Sequence, residues 1–261
     1  MLACYLRLIG AGFRRYSTYW QAVVAGLATN IVFGFMRCAV LLTVFAGSAQ
    51  VAGYNPSRTV TFVWIGQGLI AVVAIWGNSD FGERVRSGDI AIDLLRPVDL
   101  QAALLAEDLG RAGFALLTRF TGPLLIGLAF FDLTLPSSVL CWAAFGVSVL
   151  LAILVSFAIR FLLNLLAFWL LDWRGLLALH AAIGGVLAGL VIPIAFFPGW
   201  ARTVIWATPF PAILQAPIDI AIGTGAVLLL LAHQLAWAVA LLAVGRLVLA
   251  RAVRTLVIQG G

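Results

Sequence analysis

Lysine is missing from this 261-residue sequence: all 16 basic residues are arginine. A phosphate-binding loop of the form GxxxxGK[ST] needs its lysine on the β- and γ-phosphates, so nucleotide hydrolysis by that route is excluded. Charge of either sign is scarce. Only 10% of residues are charged, 64% are hydrophobic, and the mean hydropathy is +1.12. An average globular domain is roughly 45–50% apolar and about 25% charged. A water-soluble fold of this length could not hide so much apolar surface, because a large share of any folded surface stays exposed. A bilayer removes the difficulty by acting as an apolar solvent. Cysteine is sparse too: Cys4, Cys38 and Cys141 are far apart and at no metal-ligand spacing, and two of them sit in apolar runs as small core residues. The two histidines, His180 and His233, are isolated and belong to no HExxH motif. No metal or cofactor is therefore expected in this chain. The net charge of +6 is scattered over helix ends rather than gathered in a stripe, which argues against a nucleic-acid partner. The run Leu2-Ala3-Cys4 has no hydrophobic leader before it, so neither lipidation nor a cleavable signal peptide is expected.

What the sequence does contain is long apolar runs. A spanning helix needs about 20 mostly apolar residues. Candidate spans fall at 20–46, 58–78, 110–131, 138–166, 177–197 and 225–249. The fold class expected is an all-α integral membrane protein with six transmembrane helices in one membrane domain over 20–261. Residues 1–19 differ. There Tyr5, Leu6, Leu8, Ile9 and Phe13 alternate with Arg7, Arg14 and Arg15, and Tyr16, Tyr19 and Trp20 follow. That pattern predicts an amphipathic interfacial helix with an aromatic anchor.

Orientation follows from arginine. With the N-terminus inside and six crossings, the inner ends collect Arg7, Arg14, Arg15, Arg84, Arg86, Arg96, Arg111, Arg174, Arg246, Arg251 and Arg254, and the outer loops only Arg58 and Arg202. Such asymmetry puts both termini in the cytoplasm. Arg37, Arg119 and Arg160 fall inside predicted spans, where a centred arginine costs about 2.5–3.5 kcal/mol. Arg37 and Arg119 are candidate pathway-lining residues. Arg160 reads more simply as a snorkelling residue at the inner end of a shorter fourth span.

Two segments are not plain spans. Residues 78–100 hold half of the ten acidic residues: Asp80, Glu83, Asp89, Asp93 and Asp99. Asp89 or Ser87 can cap a short helix over about 90–95, and Pro97 stops it. Glu83/Arg86, Arg86/Asp89 and Asp93/Arg96 have the i, i+3 spacing of helical ion pairs. Ile90, Ile92, Leu94 and Leu95 add an apolar side, so the segment predicts a docking element. Residues 198–224 are apolar yet broken: Pro209, Pro211 and Pro217 forbid one continuous helix. They read as helices dipping partway into the outer leaflet, tolerated where protein covers the backbone.

Taken together, these features resemble the permease subunits of ABC-2-type exporters over nearly the whole chain. The local likeness is carried by Glu83-Arg-Val-Arg-Ser-Gly-Asp-Ile-Ala-Ile-Asp-Leu-Leu-Arg-Pro and, less specifically, by Pro209-Phe-Pro-Ala-Ile-Leu-Gln-Ala-Pro217 with Gly223. The resemblance implies an interfacial helix, six spans, a cytoplasmic coupling helix after the second span and re-entrant helices before the sixth. It implies no catalysis on this chain. A separate ABC ATPase dimer, carrying ATP and Mg, is the partner, and Glu83, Arg84, Arg86, Asp89, Asp93 and Arg96 are the coupling residues toward it. A second permease, identical or a sibling chain, completes the pathway in the bacterial inner membrane among its lipids. An ion-coupled carrier is the first alternative. It usually needs an intramembrane carboxylate, and the acidic residues are expected in loops or at span ends, Asp132 and Asp219 outside and Asp172 inside. A membrane enzyme needs a serine facing a histidine; Ser148 or Ser156 with His180 or His233 stays open. A structural membrane subunit is the third alternative.

Overall fold

The computed structural model describes residues 2–18, 20–77, 79–170 and 172–254; among these every extended regular element is helical, and one isolated bridge, Val51 to Tyr54, closes a turn. The helices are α1 (Leu2–Ser17), α2 (Trp20–Leu42), α3 (Pro56–Val73), α4 (Asp80–Ser87), α5 (Ile90–Leu94) and α6 (Leu100–Ala115). They continue with α7 (Thr121–Phe130), α8 (Val139–Leu165), α9 (Arg174–Leu187), α10 (Gly199–Trp206), α11 (Gln215–Ile222) and α12 (Val227–Arg254). Tyr19 of the expected aromatic anchor and Asn78 at the head of the charged segment lie outside the described residues.

Capping chemistry places the starts. Asn55 accepts from the Arg58 N–H ahead of Pro56, Asp99 accepts from Ala102 N–H, and Ser138 accepts from Cys141 N–H. Four stretches are long and apolar enough to cross a membrane: Trp20–Phe45, Leu100–Phe130, Val139–Phe168 and Val227–Arg254. The third predicted span therefore begins ten residues earlier than its hydropathy suggested, at Leu100 rather than 110, because Glu107, Asp108 and Arg111 depress the apolar signal inside a real helix. The second is the 18-residue α3, about 27 Å long at 1.5 Å per residue. The fifth differs most. Its helix α9 stops after 14 residues, about 21 Å, and the chain then turns through Gly189 at φ +81° and Pro193.

α3 is the central helix, buried on nearly every side from Thr59 to Val73, with α2, α6, α7, α8 and α11 around it. Lipid tails are as apolar as leucine, so close packing and small residues drive helix association in a bilayer. That logic is visible at Trp64. A Cβ on Gly34 of α2 would sit 2.8 Å from its ring, and one on Gly127 of α7 2.7 Å. α1 does not lie alone in the interface either; it crosses α6 backbone to backbone. A Cβ on Gly12 would meet the Glu107 carbonyl at 2.1 Å, one on Gly110 the Ile9 carbonyl at 2.0 Å, and Phe13 sets its edge on Phe114 beside them.

The proline-broken segment folds as α10, a short turn over Phe210–Ala212, and α11, which is buried against α3, α8 and α12. Gln215 stitches it in place. Its amide donates to Tyr54 Oη at 3.0 Å and Asp219 Oδ1 at 2.8 Å, and its carbonyl accepts from Ile194 N–H at 3.1 Å. Tyr54 and Thr224 also donate to Asp219. Asp219, expected in an outer loop, is thus part of a buried polar knot.

Candidate functional site

The charged segment forms two short helices rather than one. α4 carries Asp80 and Glu83 in its first turn and Arg84 and Arg86 in its last, complementing the helix dipole. Gly88, at φ +84°, ends it in the left-handed region that glycine enters freely. α5 then runs back. Buried Asp93 joins the two, with Arg84 Nη1 at 2.9 Å and Arg96 Nη1 at 3.5 Å. The Arg84 contact is an ion pair by distance, without hydrogen-bond alignment at Oδ2. Of the three predicted pairs only Asp93/Arg96 forms. Arg86 is drawn instead over the Trp173 ring at 5.9 Å, Glu83 turns to Arg174 at 3.5 Å, and Asp89 accepts from Ser87 Oγ at 2.6 Å.

The pair of helices is docked firmly on the end of α8. Phe81 stacks on Phe161 at 5.5 Å, Phe161 on Phe157 at 5.6 Å, and Gly82 N–H donates to Asn164 Oδ1 at 3.0 Å. A Cβ on Gly82 would lie 2.4 Å from Trp173, so glycine lets the helix close on the indole. Of the predicted coupling residues, Glu83, Arg86, Asp89 and Arg96 are exposed, Arg84 is half-buried, and Asp93 is buried as a staple. Apolar groups project outward with them: Leu95 is 86% exposed and Ile92 61%. The sequence suggested an apolar side without dividing it. Ile90 and Leu94, four apart, share the inward face, and Ile92 and Leu95 share the other.

Behind this element lies a buried ionic triad. Asp108 of α6 accepts from Arg111 Nε at 2.7 Å and receives Arg160 of α8 in a fork, Nη1 at 3.2 Å and Nη2 at 2.7 Å. All three are buried. Arg160 is therefore no snorkelling residue, and a carboxylate does sit inside a long apolar helix; a lone side chain's hydropathy cannot reveal a partner 52 positions away. The triad also caps α3. A helix leaves its last four carbonyls without intrahelical donors. Here Ile70 O takes Ala74 N–H, Ala71 O and Val72 O take Arg111 Nη1 at 2.6 Å and Nη2 at 2.9 Å, and Val73 O takes Ser156 Oγ.

Arg111 and Arg160 stand between two cavities. The first, about 490 Å³, lies under α4, with Arg15, Arg84, Arg111 and Arg160 among its lining residues, and Asp80, Glu83, Asp89, Glu107 and Asp108 against them. The second, about 440 Å³, is walled by Val23, Ile70, Phe114 and Trp76, with Arg111, Arg119 and Arg160 and, among the described residues, no acidic one. A family model described as ABC-2 family transporter protein matches residues 31–260. The chain belongs to the ABC-2 transporter family. No curated protein and no solved structure matches it significantly. Membership, with four helices able to cross a bilayer, makes it a multi-pass membrane protein and a transporter permease.

Within that ABC-2 fold the two candidate pathway residues part company. Arg119 lines the second cavity, donating through Nη2 to Ala22 O at 2.6 Å. Arg37 lines neither of the two; its Nη2 donates to Val191 O at 3.2 Å, and its Nε and Nη1 are buried without a hydrogen-bond partner among the described residues. The serine–histidine pairings do not assemble. Ser148 donates to Gln234 and Ser156 to Val73, while His180 stacks on Phe210 and His233 bonds Trp206 O.

Proposed function

We propose that this chain is the permease half of an ATP-driven exporter of the ABC-2 type. It would form the substrate pathway as a dimer with an identical or sibling chain. The observation that carries the reading is the α4–α5 element, held on α8 by Phe81, Gly82 and Trp173 while Ile92, Leu95 and Arg96 project outward. An ATPase pair, with its own ATP and Mg, would seat on that projection. Its closure would push through the Phe81–Phe161–Phe157 stack into α8, biasing the halves between two arrangements by differential contact. Hydrolysis stays on the partner, because this chain has no lysine for a P-loop.

The path through the bacterial inner membrane has six crossings: α2, α3, α6 with α7, α8, α9 with the irregular stretch after it, and α12. Both termini lie in the cytoplasm, where the arginine-rich ends collect. α10 and α11 are then re-entrant from the outer side, with the backbone of α11 covered by α3, α8 and α12.

Two measurements test the reading. Co-purification should yield a stoichiometric P-loop ATPase, and its absence sinks the proposal. Given the complex, L95D and R96E should uncouple ATP hydrolysis from transport while the permease still inserts. D93N should instead destabilise the element itself. Coupling unchanged in L95D would remove the projection from the mechanism.

A further inference from the structure

Arg119 sits at an irregularity with a visible cause. Between α6 and α7 the helix widens into a π turn over Leu116–Phe120. Pro123 follows; it has no N–H to give the carbonyl four residues back, that of Arg119, and its ring crowds that carbonyl. The extra residue displaces Arg119 relative to its neighbours, and π bulges of this kind occur often at functional sites. The guanidinium then lies flat across α2 at Gly26, where a Cβ would be 2.2 Å from Nη1. Glycine is what permits that approach.

Electrostatics separates the cavities. In the one beneath α4, arginines face comparable numbers of carboxylates. In the other, one carboxylate behind the wall, Asp108, serves both Arg111 and Arg160, and Arg119 has only the Ala22 carbonyl as a hydrogen-bond partner among the described residues. Arg111 spends its donors on Asp108 and the end of α3, whereas the hydrogen bond to Ala22 takes only Nη2 of Arg119. Much of the remaining wall is apolar or aromatic, with Val23, Ile70, Phe114 and Trp76, and its uncharged polar members are Asn30, whose amide donates to Gln67 O, and Tyr16. The volume of about 440 Å³ lies within the roughly 300–1,000 Å³ of small-molecule sites.

We infer that this cavity binds an amphiphile with an anionic head, a carboxylate or phosphate held at Arg119, and an apolar body against Ile70, Phe114 and Trp76. The inference rests on the transporter reading and names the class of molecule the permease accepts. A cation would meet an excess of positive charge, and a wholly apolar molecule would leave Arg119 facing it unpaired. An anionic head offers charge-assisted bonds to the fork, and the apolar and aromatic part of the wall adds contacts that a small hydrated anion lacks.

The test is equilibrium binding of radiolabelled laurate to the full chain in phosphatidylcholine nanodiscs, with empty nanodiscs subtracted. Saturable binding that dodecylamine does not compete away supports the site. R119Q should weaken it on the order of tenfold, R119K should retain most of it, and G26A should weaken it by displacing the guanidinium with its charge intact. Competition from phosphatidylglycerol placed in the nanodisc would identify a bilayer lipid as the occupant; its absence would identify a free amphiphile. Equal competition by dodecylamine, displacement by inorganic phosphate at similar concentration, or undiminished laurate binding by folded R119Q overturns the inference. The measurement needs no ATPase, so failed co-purification beside intact binding would sink the proposed coupling alone.

Discussion

Asp108→Asn removes the one negative charge shared by two buried guanidiniums, and its cost can be bounded. Arg111 and Arg160 are 7% and 4% exposed, so water is a poor replacement for the lost carboxylate. Breaking a buried pair by removing one partner typically costs about 3–5 kcal/mol, because the remaining charge is left uncompensated. Here two charges are orphaned and repel each other, which places D108N at the upper end. The damage also spreads to α3, whose Ala71 and Val72 carbonyls depend on an Arg111 oriented by Asp108. In detergent, followed by size-exclusion fluorescence during a thermal ramp, D108N should lower the unfolding midpoint by on the order of 10 °C. R160Q alone leaves Asp108 one partner and should cost less. The double variant D108N/R160Q should be more stable than D108N, since the two residues are in contact and their effects cannot add. A D108N protein melting within about 2 °C of wild type, or a double variant equal to the sum of the singles, would refute the triad as a structural unit.

Gly110→Val should force α1 off α6, because its backbone neighbour Ile9 cannot yield as a flexible side chain would; overpacking of about 1–3 kcal/mol should appear as faster hydrogen exchange over residues 2–17, and unchanged protection would count against the crossing. Gly82→Val should undock α4 from Trp173 and Asn164, raising protease sensitivity near Ser87 without preventing insertion; cleavage as slow as wild type would contradict the packing. Burial raises the carboxyl of Asp219 above its ordinary range, although Tyr54, Gln215 and Thr224 donate to it. A folded-state value above the unfolded one gives stabilisation that is full at low pH and is lost as pH rises through the folded value. The unfolding midpoint should therefore decline with rising pH in wild type and flatten in D219N; a decline unchanged in D219N would show that another group is responsible.

Much of this molecule was legible in one dimension. Apolar runs marked four long helices, all but the early start of α6 to within about five residues, since the preference for lipid over water is a property of each side chain and sums along a helix. Prolines 209, 211 and 217 announced a broken segment, because a missing N–H acts locally. A cap at Asp89 or Ser87 and the stop at Pro97 announced a short element over about 90–95, though not the second helix before it. What tertiary structure alone decided is which groups meet. Asp108 and Arg160 each look like a fault in an apolar helix, and only the convergence of Arg160 and Arg111 on Asp108 turns these penalties into a cap for α3. Ile90 and Ile92 are chemically identical, yet one faces α8 and the other solvent, because the docking of Gly82 on Trp173 sets the rotation of the whole element. Arg37 and Arg119 looked alike as intramembrane cations. The π turn ahead of Pro123 carries Arg119 to the wall of a cavity, and no such displacement acts on Arg37. Single-residue preferences are written in the chain; partnerships between charges are distances, and distances exist only once the helices have packed.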